Sequence, residues 1–296
     1  MSKARAVLRR IKSVEKTSQI TKTMEMVATA KIKKAQARIE AARPYAIKMV
    51  EVLHSVAKHV GSDSHPLLEV HDPIENVVIV PITSNRGLCG AFNMNILRQS
   101  EALYRQETEN GRNVSFLSVG RKGTGYLKFV GRNLIASHTD FSDNPTFLEA
   151  KIVADRLIEM YQERTLDKAY IVFNHFKSVM EQKPMVHQLL PIKQEEIAGE
   201  EEGADKKGIA EYEFEPDAVR VLYDLLPRYV ETVVLRALME SAASEHAARR
   251  VAMKNATDAA LEMIESLTRW YNRARQAQIT QEIAEIVGGA NALQEA

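Results

Sequence analysis

Apolar residues in the first part of the chain recur at alternating steps of four and three, which places them along one side of a helix. No glycine precedes Gly61 and Pro44 is the one proline in this stretch, so little interrupts a helix. The positions on this spacing are Val7, Ile11, Val14, Ser18, Thr21, Glu25, Ala28, Ile32, Ala35, Ile39, Ala42, Ala46, Met49, Leu53, Val56 and Val60. Three consecutive polar positions interrupt an otherwise apolar seam. The pattern predicts a long helix that forms a coiled coil with a partner helix.

The last part of the chain has a similar, slimmer seam. Glycine is absent from Asp217 to Val287, and Pro227 is the one proline there. The seam positions are Val230, Val233, Ala237, Ser241, Ser244, Ala248 and Val251, followed by Leu261, Ile264, Thr268, Tyr271 and Ala274. Small residues let two helix axes approach closely, so we expect a thin rod.

Between the two helices the pattern alternates between strand-like and helical segments. The expected strands are Val77–Ile82, Val114–Val119, Leu134–His138, Ala169–Phe173 and Met185–Ile192. The expected helices are Phe92–Glu107, Lys122–Phe129 and Thr146–Arg164, the last with Asn144 as its cap and Pro145 in its first turn. This order predicts a small, mostly parallel sheet with helices on its faces. The acidic segment Glu195–Glu215 is expected to be a surface loop.

The predicted organisation is an N-terminal coiled-coil helix at 1–60, a central α/β domain at 74–216 and a C-terminal coiled-coil helix at 217–296. Because the termini of a domain usually lie close together, the two helices should pair antiparallel. The fold class is therefore α/β plus long helices, with a Rossmann-like domain carried between them. The second helix exceeds the first by about ten residues, so its end should project beyond its partner. The projecting apolar stripe is Ile279, Ile283, Ile286 and Val287, and it needs an external socket.

Charge is segregated along the chain although the formal net charge is +1. Residues 1–38 carry eleven Lys or Arg against Glu15 and Glu25, about +9, which leaves about −8 for the remainder. Such segregation usually indicates a partner. Three interpretations of the basic helix stay open: a nucleic acid partner, an acidic protein partner and a basic face that is merely solvated. Cys89 is the single cysteine, which excludes an internal disulfide and a cysteine-built metal site. No apolar run approaches the roughly 18–20 residues of a membrane span, and a bacterial cytoplasmic setting is expected.

Motifs that could carry chemistry are weak. Gly120–Gly125 follows a strand and precedes a helix, as a phosphate-binding loop does, but it lacks the Lys-Ser/Thr pair of a Walker motif. We interpret it, like Gly87–Gly90 around Cys89, as a structural turn. No histidines have metal-ligand spacing. The sequence thus predicts no catalytic residue, cofactor or metal. The alternatives are a coiled-coil nucleic-acid-binding or scaffold protein using the basic helix, and a nucleotide-binding enzyme with helical arms.

Four segments resemble one family, the γ subunits of F-type ATP synthases, in its bacterial form. Arg10–Val14 with Ile20–Ala28 is similar to the N-terminal helix of that family, and Tyr271–Gly288 is similar to its C-terminal signature. Ser84–Gly90 and Glu245–Lys254 also resemble family motifs. The resemblance spans essentially the whole chain in the expected order.

The resemblance implies a non-catalytic central-stalk rotor, peripheral to the cytoplasmic face of the bacterial plasma membrane. Its implied partners are three alpha and three beta subunits, the epsilon subunit and the membrane c ring, with no nucleic acid. Lys22 and Met24 match the family's contact with the acidic lever of a beta subunit. The positions matching contacts with a beta-subunit loop are Arg275, Gln276, Thr280 and Glu282. The positions matching the apolar bearing around the shaft tip are Ile279, Ile283, Ile286 and Val287.

Overall fold

The structure, a computed structural model, describes residues 3–57, 65–141, 143–193, 214 and 217–294. Most of the acidic segment 195–215, like Val60, lies outside the described residues. The elements are α1 (Lys3–Ala57), β1 (Asn76–Pro81), α2 (Phe92–Glu109), β2 (Asn113–Val119), α3 (Arg121–Phe129), β3 (Leu134–His138), α4 (Phe147–Gln162), β4 (Lys168–Phe176), β5 (Gln182–Leu190) and α5 (Ala218–Gln294). The chain divides into two compact units. The partition into 1–60, 74–216 and 217–296 stays a prediction.

The first unit, Met1–Ala28 with Arg250–Ala296, is a pair of antiparallel helices from α1 and α5. The α1 seam expected from the sequence is the buried side: Val7, Ile11, Ser18, Thr21 and Ala28 are buried, and Val14 and Glu25 are half-buried. Ala4, one step before the expected seam, is also buried and extends it. The facing positions of α5 are Met253, Thr257 and Ala260, which are buried, and Ile264, Leu267, Tyr271 and Ala274, which are half-buried. The seam is thus a regular coiled-coil repeat on both helices.

One contact sets the register of this helix pair. The hydroxyl oxygens of Thr21 and Thr257 lie 2.7 Å apart and both residues are buried. The two helices are antiparallel, so the α1 seam is followed from Thr21 towards the N-terminus while the α5 seam is followed from Thr257 towards the C-terminus. Ala4, the first buried seam residue of α1, then faces Ala274 of α5. The burial ends there, since Arg275 and all later residues up to Ala290 are exposed.

The prediction for the distal part of the α5 seam was wrong at two positions. Leu261 is 55% exposed and Thr268 is exposed, while the neighbouring Ala260 and Leu267 face α1. The physical reason is that the face of α5 turned to α1 is set by all the residues that recur at steps of four and three from Met253 onward, and Ala260 and Leu267 belong to that series. A single large apolar residue beside an alanine does not outweigh that run.

The second unit, Thr29–Arg249, contains a five-stranded sheet in the order β3-β2-β1-β4-β5. The first four strands are parallel, and β5 is an antiparallel edge strand that forms a hairpin with β4. The predicted mostly parallel sheet is therefore confirmed. Strand β1 is buried on both faces, which fits its continuous apolar run Val77–Pro81.

Each face of the sheet has its own core. One face, with Ile79 and Phe116, packs against α2 and α3. The opposite face, with Val78 and Val80, packs against α4 and the parts of α1 and α5 in this unit; the helical residues include Met49, Leu53, Val56, Leu157, Leu226, Val230 and Val234. Both long helices are thereby anchored on one side of the sheet by apolar burial.

The cap of α4 differs from the expectation of Asn144. Thr146 is the N-cap: its hydroxyl accepts from the backbone N–H of Glu149, and the Glu149 carboxylate accepts from the backbone N–H of Thr146. This reciprocal capping box satisfies two otherwise unpaired donors, which a lone Asn two residues earlier could not do. The helix consequently starts two residues after Pro145.

Candidate partner-binding surface

The end of α5 is an exposed helix with an apolar stripe. Residues 275–290 are all exposed, and the seam with α1 stops at Ala274. Within this tail the exposed fractions are 46% for Ile279, 56% for Ile283, 72% for Ile286 and 52% for Val287. Helical spacing puts these four side chains on one face. Four large apolar side chains on one exposed face are typical of a protein interface.

Polar side chains border the stripe on both sides. Arg275 and Glu282 are seven residues apart and follow one border, while Thr280 follows the other and Gln276 is in line with Ile283. The Glu282 carboxylate accepts a hydrogen bond of 2.8 Å from the side chain of Gln278. The four polar residues predicted from the family resemblance are thus exposed next to the apolar stripe.

Helix α1 in the same unit carries the other predicted positions, Lys22 and Met24. Lys22 is exposed, whereas Met24 is half-buried. Two of the three polar positions that interrupt the predicted seam, Ser18 and Thr21, are buried in it. Lys22 and Met24 therefore lie on the two flanks of the α1 seam.

Sequence reasoning missed three apolar residues on the face of α1 turned away from the seam. Ile20 is 60% exposed, Met26 is 58% exposed and Val27 is 52% exposed. Thr23, between them, donates its hydroxyl to the carbonyl of Gln19 at 2.9 Å, so its methyl group adds to the apolar surface. The available signal was the seven-residue spacing of Ile20 and Val27 on the side opposite the seam.

Basic side chains surround this apolar face. The exposed basic residues of α1 in the first unit are Arg5, Arg9, Arg10, Lys12, Lys16 and Lys22. Glu15 is the one exposed acidic residue among the described residues 4–28 of α1. This surface has the charge and the apolar patch to receive an acidic protein segment.

The start of α3 cannot serve as a phosphate site because its donors are already used. The backbone N–H of Arg121 donates to the Asn85 side-chain oxygen at 3.0 Å. The N–H of Lys122 donates to the Ser84 carbonyl at 3.1 Å, and that of Gly123 donates to the Thr83 hydroxyl at 2.8 Å. Gly120 has a φ of +94°, and a Cβ there would lie 2.1 Å from the Thr83 carbonyl oxygen. These glycines permit close backbone packing, as the structural-turn interpretation requires.

Cys89 is buried beside Ser84, and its Sγ lies 3.7 Å from the Ser84 hydroxyl oxygen. Burial raises the pKa of the Cys89 thiol, which disfavours the nucleophilic thiolate. Among the residues that the structure describes, no group of three or more His, Cys, Asp or Glu is arranged to hold a metal ion.

The crevice where a sheet of this kind usually binds ligands is filled by α5. The strand order reverses between β1 and β4, and ligands of doubly wound sheets bind at the carboxyl ends of such strands. Here the Ser244 hydroxyl donates to the Asn174 carbonyl of β4 at 2.9 Å, and the Ser241 hydroxyl donates to the Ile82 carbonyl after β1 at 3.5 Å. Both serines are buried, so α5 occupies the place of a ligand.

Within the described helices, none has an apolar stretch long and hydrophobic enough to cross a membrane. The described parts of the chain thus form a helix pair with exposed apolar and basic surfaces, joined to an α/β unit whose usual ligand crevice is closed. This combination is typical of coiled-coil proteins that bind partner chains.

Comparison with known proteins identifies the family. A family model described as ATP synthase matches residues 3–293. The ATP synthase gamma chain of Moorella thermoacetica is 44% identical over 293 residues, which cover 99% of this chain and all of that protein. The ATP synthase gamma chain of Desulforamulus reducens is 45% identical over 295 residues, with the same coverage of both chains.

Solved structures agree. A chain of the Tetrahymena thermophila mitochondrial ATP synthase central stalk and c ring matches 80% of this chain and 99% of its own length, with 29% identity and a TM-score of 0.58. A chain of the Euglena gracilis mitochondrial ATP synthase matches 98% of this chain and 94% of its own length, with 24% identity and a TM-score of 0.66. The second match shows the fold alone.

The chain belongs to the ATP synthase gamma chain family, as the sequence motifs predicted. It is accordingly a non-catalytic stalk subunit, and the comparisons favour this class over a nucleic-acid-binding coiled coil.

Proposed function

We propose that the chain is the central-stalk rotor of an F1Fo ATP synthase, turning with the membrane c ring inside a ring of three alpha and three beta subunits. It couples ion-driven rotation to the cycle of the catalytic sites, in ATP synthesis or hydrolysis. The observation that carries this proposal is the exposed apolar stripe on the tail of α5, where the α1 seam has ended. The matching Tetrahymena thermophila chain supports it, since that chain comes from a central stalk and c ring.

In this proposal the tail turns in an apolar bearing. The contact is made by four exposed aliphatic side chains, those of Ile279, Ile283, Ile286 and Val287. Their transfer from water into an apolar socket is favourable. A socket of apolar side chains is non-directional, so it holds the tip without favouring one angle of rotation.

The polar residues provide the angle-dependent contacts. Arg275, Gln276, Thr280 and Glu282 would bind a beta-subunit loop, because charged and amide groups form directional hydrogen bonds. A hydrogen bond made at one angle of the shaft is broken at another. The three identical beta subunits therefore experience different contacts at any moment, and this difference in contact free energy is what the rotor transmits.

Lys22 and Met24 would contact the acidic lever of a beta subunit. The basic side chains around them offer opposite charge, and the exposed Ile20 and Val27 extend the apolar part of that surface. We propose that the α/β domain at 74–216 rests on the c ring and holds the epsilon subunit. The protein would be peripheral to the membrane, on the cytoplasmic face of the bacterial plasma membrane.

The test replaces apolar residues of the tail. Ile279→Ser with Ile283→Ser should weaken retention of the chain in the complex and lower the torque of single-molecule rotation, because the bearing loses its apolar contact. The matched control, Gln281→Ser with Glu285→Ser, changes exposed polar residues of the same tail and should leave both values near those of the unaltered protein.

Two results would contradict the proposal. One is equal retention and torque for the apolar and polar tail variants. The other is ATP hydrolysis at an enzyme-like rate by the purified chain alone. Subunit stoichiometry in a complex isolated from native membranes should give one copy of the chain per three catalytic subunits.

A further inference from the structure

Two family-like motifs that are far apart in sequence meet in the second unit. Arg249 of the segment Glu245–Lys254 donates from Nη2 to the backbone carbonyl of Gly87, in the segment Ser84–Gly90, at 3.4 Å. The same Nη2 donates to the Glu245 carboxylate at 2.5 Å. The Arg249 and Glu245 side chains are only 12% and 14% exposed, so this contact is shielded from water.

The contacts of Ser241 and Ser244 lie on the same side of α5. Their hydroxyls donate to carbonyls at the carboxyl ends of β1 and β4, as described above. The exposed fraction is 2% for Ser241 and 0% for Ser244. Within nine residues of α5, three side chains therefore hydrogen-bond to backbone carbonyls of the sheet edge and the turn after β1.

Helix α1 meets the α/β part of the same unit differently. Its Lys31 forms an ion pair of 2.5 Å with Asp143, in the segment before α4, and these side chains are 39% and 30% exposed. Exposed ion pairs are screened by water and salt and hold geometry weakly. The polar contacts of α5 are buried and directional, whereas this polar contact of α1 is partly solvated and α1 is otherwise held by non-directional apolar packing of Met49, Leu53 and Val56.

These attachments differ in the motion that they resist. Apolar packing is non-directional, so the packed faces of a helix and a sheet can shift slightly without a large change in contact. A hydrogen bond weakens steeply when its angle changes, and in a buried environment water cannot replace it. Bonds from the side of α5 to fixed carbonyls of the sheet consequently oppose rotation of α5 about its own axis and sliding along it.

We propose that Ser241, Ser244 and Arg249 form a torsional joint through which the α/β domain drives the shaft, with α5 as the driven helix. This inference rests on the proposed rotor function and adds the residues at which torque enters the helices. The backbone carbonyls of Ile82, Asn174 and Gly87 are the fixed side of the joint. Ser241, Ser244 and Arg249 are positioning residues: they act through the rigidity of the helix and contact no reacting group.

The test measures torsional stiffness in the assembled complex. The ring of three alpha and three beta subunits is fixed to a surface and a probe is attached to the α/β domain of the chain. The width of the probe's angular distribution is recorded while the motor pauses, and a wider distribution means a lower stiffness. Ser241→Ala with Ser244→Ala should lower the stiffness on the order of twofold, as expected when one contact network is removed from a coupled path. The single variant Ser244→Thr keeps Ser241 and retains a hydroxyl at position 244. Its stiffness should therefore lie closer to that of the unaltered complex than the stiffness of the single variant Ser244→Ala.

Ser100→Ala is the matched control. Ser100 is also buried, but its hydroxyl donates to the Ile96 carbonyl of its own helix at 2.9 Å, so its removal leaves the joint intact. If Ser100→Ala lowers the torsional stiffness as much as the double variant does, the loss of any buried hydroxyl has the same effect. That result would overturn the joint. If the double variant does not assemble, Ser244→Ala alone is compared with Ser100→Ala, because Ser244 makes the shorter bond to the sheet, 2.9 Å against 3.5 Å for Ser241. Equal stiffness of these two variants has the same meaning.

A second readout separates the joint from a merely structural role. In the complex with Ser241→Ala and Ser244→Ala, the number of ions transported per ATP hydrolysed should equal that of the unaltered complex when no ion gradient opposes transport. This number should fall below that of the unaltered complex as the opposing gradient increases, because a weakened joint slips under torque. A ratio that does not depend on the gradient would contradict the joint. Rotation of the unaltered complex in the same assay tests the rotor function itself, so failure of the joint and failure of the proposed function give different results.

Discussion

Replacing the two buried threonines of the first unit by valine tests how a polar layer behaves inside the coiled-coil seam. Thr21 and Thr257 face each other with their hydroxyl oxygens 2.7 Å apart. Each hydroxyl also has a backbone acceptor in its own helix, the carbonyl of Ser18 at 3.0 Å and that of Met253 at 2.9 Å. Two hydroxyl hydrogens therefore serve three contacts, so only two of the three hydrogen bonds form at one time. Removing one hydroxyl leaves the other with its own carbonyl.

The magnitude follows from this count. Thr21→Val alone removes the bond between the helices, which should lower the free energy of unfolding by about 0.5–1.5 kcal/mol, and Thr257→Val alone removes the same bond. The second substitution in the double variant breaks no further interhelical bond. It also relieves the desolvation of the remaining hydroxyl. The double variant should therefore lose less than the sum of the single losses, with a coupling of about 1 kcal/mol.

The assay is urea unfolding of the four proteins followed by circular dichroism. The control cycle uses Thr23→Val and Thr268→Val, whose hydroxyls also donate to carbonyls four residues earlier in their own helices but are exposed. This control should show no coupling. Additive losses for Thr21→Val and Thr257→Val would refute the reasoning. We also expect the double variant to define the register of the helix pair less strictly, because a buried polar pair disfavours shifted alignments.

Three further predictions concern the second unit. Gly120→Ala should lower stability by about 2–4 kcal/mol in thermal unfolding, because its Cβ would meet the Thr83 carbonyl and its φ is positive; an unchanged melting temperature would contradict this. Burial lowers the pKa of His246 to about 4 from 6.5 in the unfolded chain, so stability should fall as the pH drops from 6.5 towards 4, and His246→Gln should flatten this dependence. Thr146→Ala should cost about 1 kcal/mol through loss of the capping box with Glu149, whereas Thr146→Ser should cost little.

Local patterns predicted the elements because each depends on neighbouring residues. The four-three spacing located the buried side of α1, and the β-branched run at Val77–Ile82 located β1. The exposure of Ile279 and Ile286 was also foreseeable, since the length of the two helices indicated that the end of α5 would project. These features repeat along the chain at a period set by the backbone.

The contacts that join distant segments could not be predicted in this way. Nothing in the sequence near Ser244 indicates Asn174 as its acceptor, and nothing near Arg249 indicates Gly87. Likewise the facing residue was Ala260 and not Leu261, because the alanine-rich stretch of α5 offers several helical faces of similar apolar content.

The sequence by itself determined the helices, the strands, the apolar tail and the family. Only the tertiary structure decided that α5 closes the ligand crevice of the sheet and that Thr21 meets Thr257. The physical reason is range: secondary structure is governed by interactions over a few residues, whereas hydrogen bonds between segments that are far apart in the chain require the complete fold to bring donor and acceptor together.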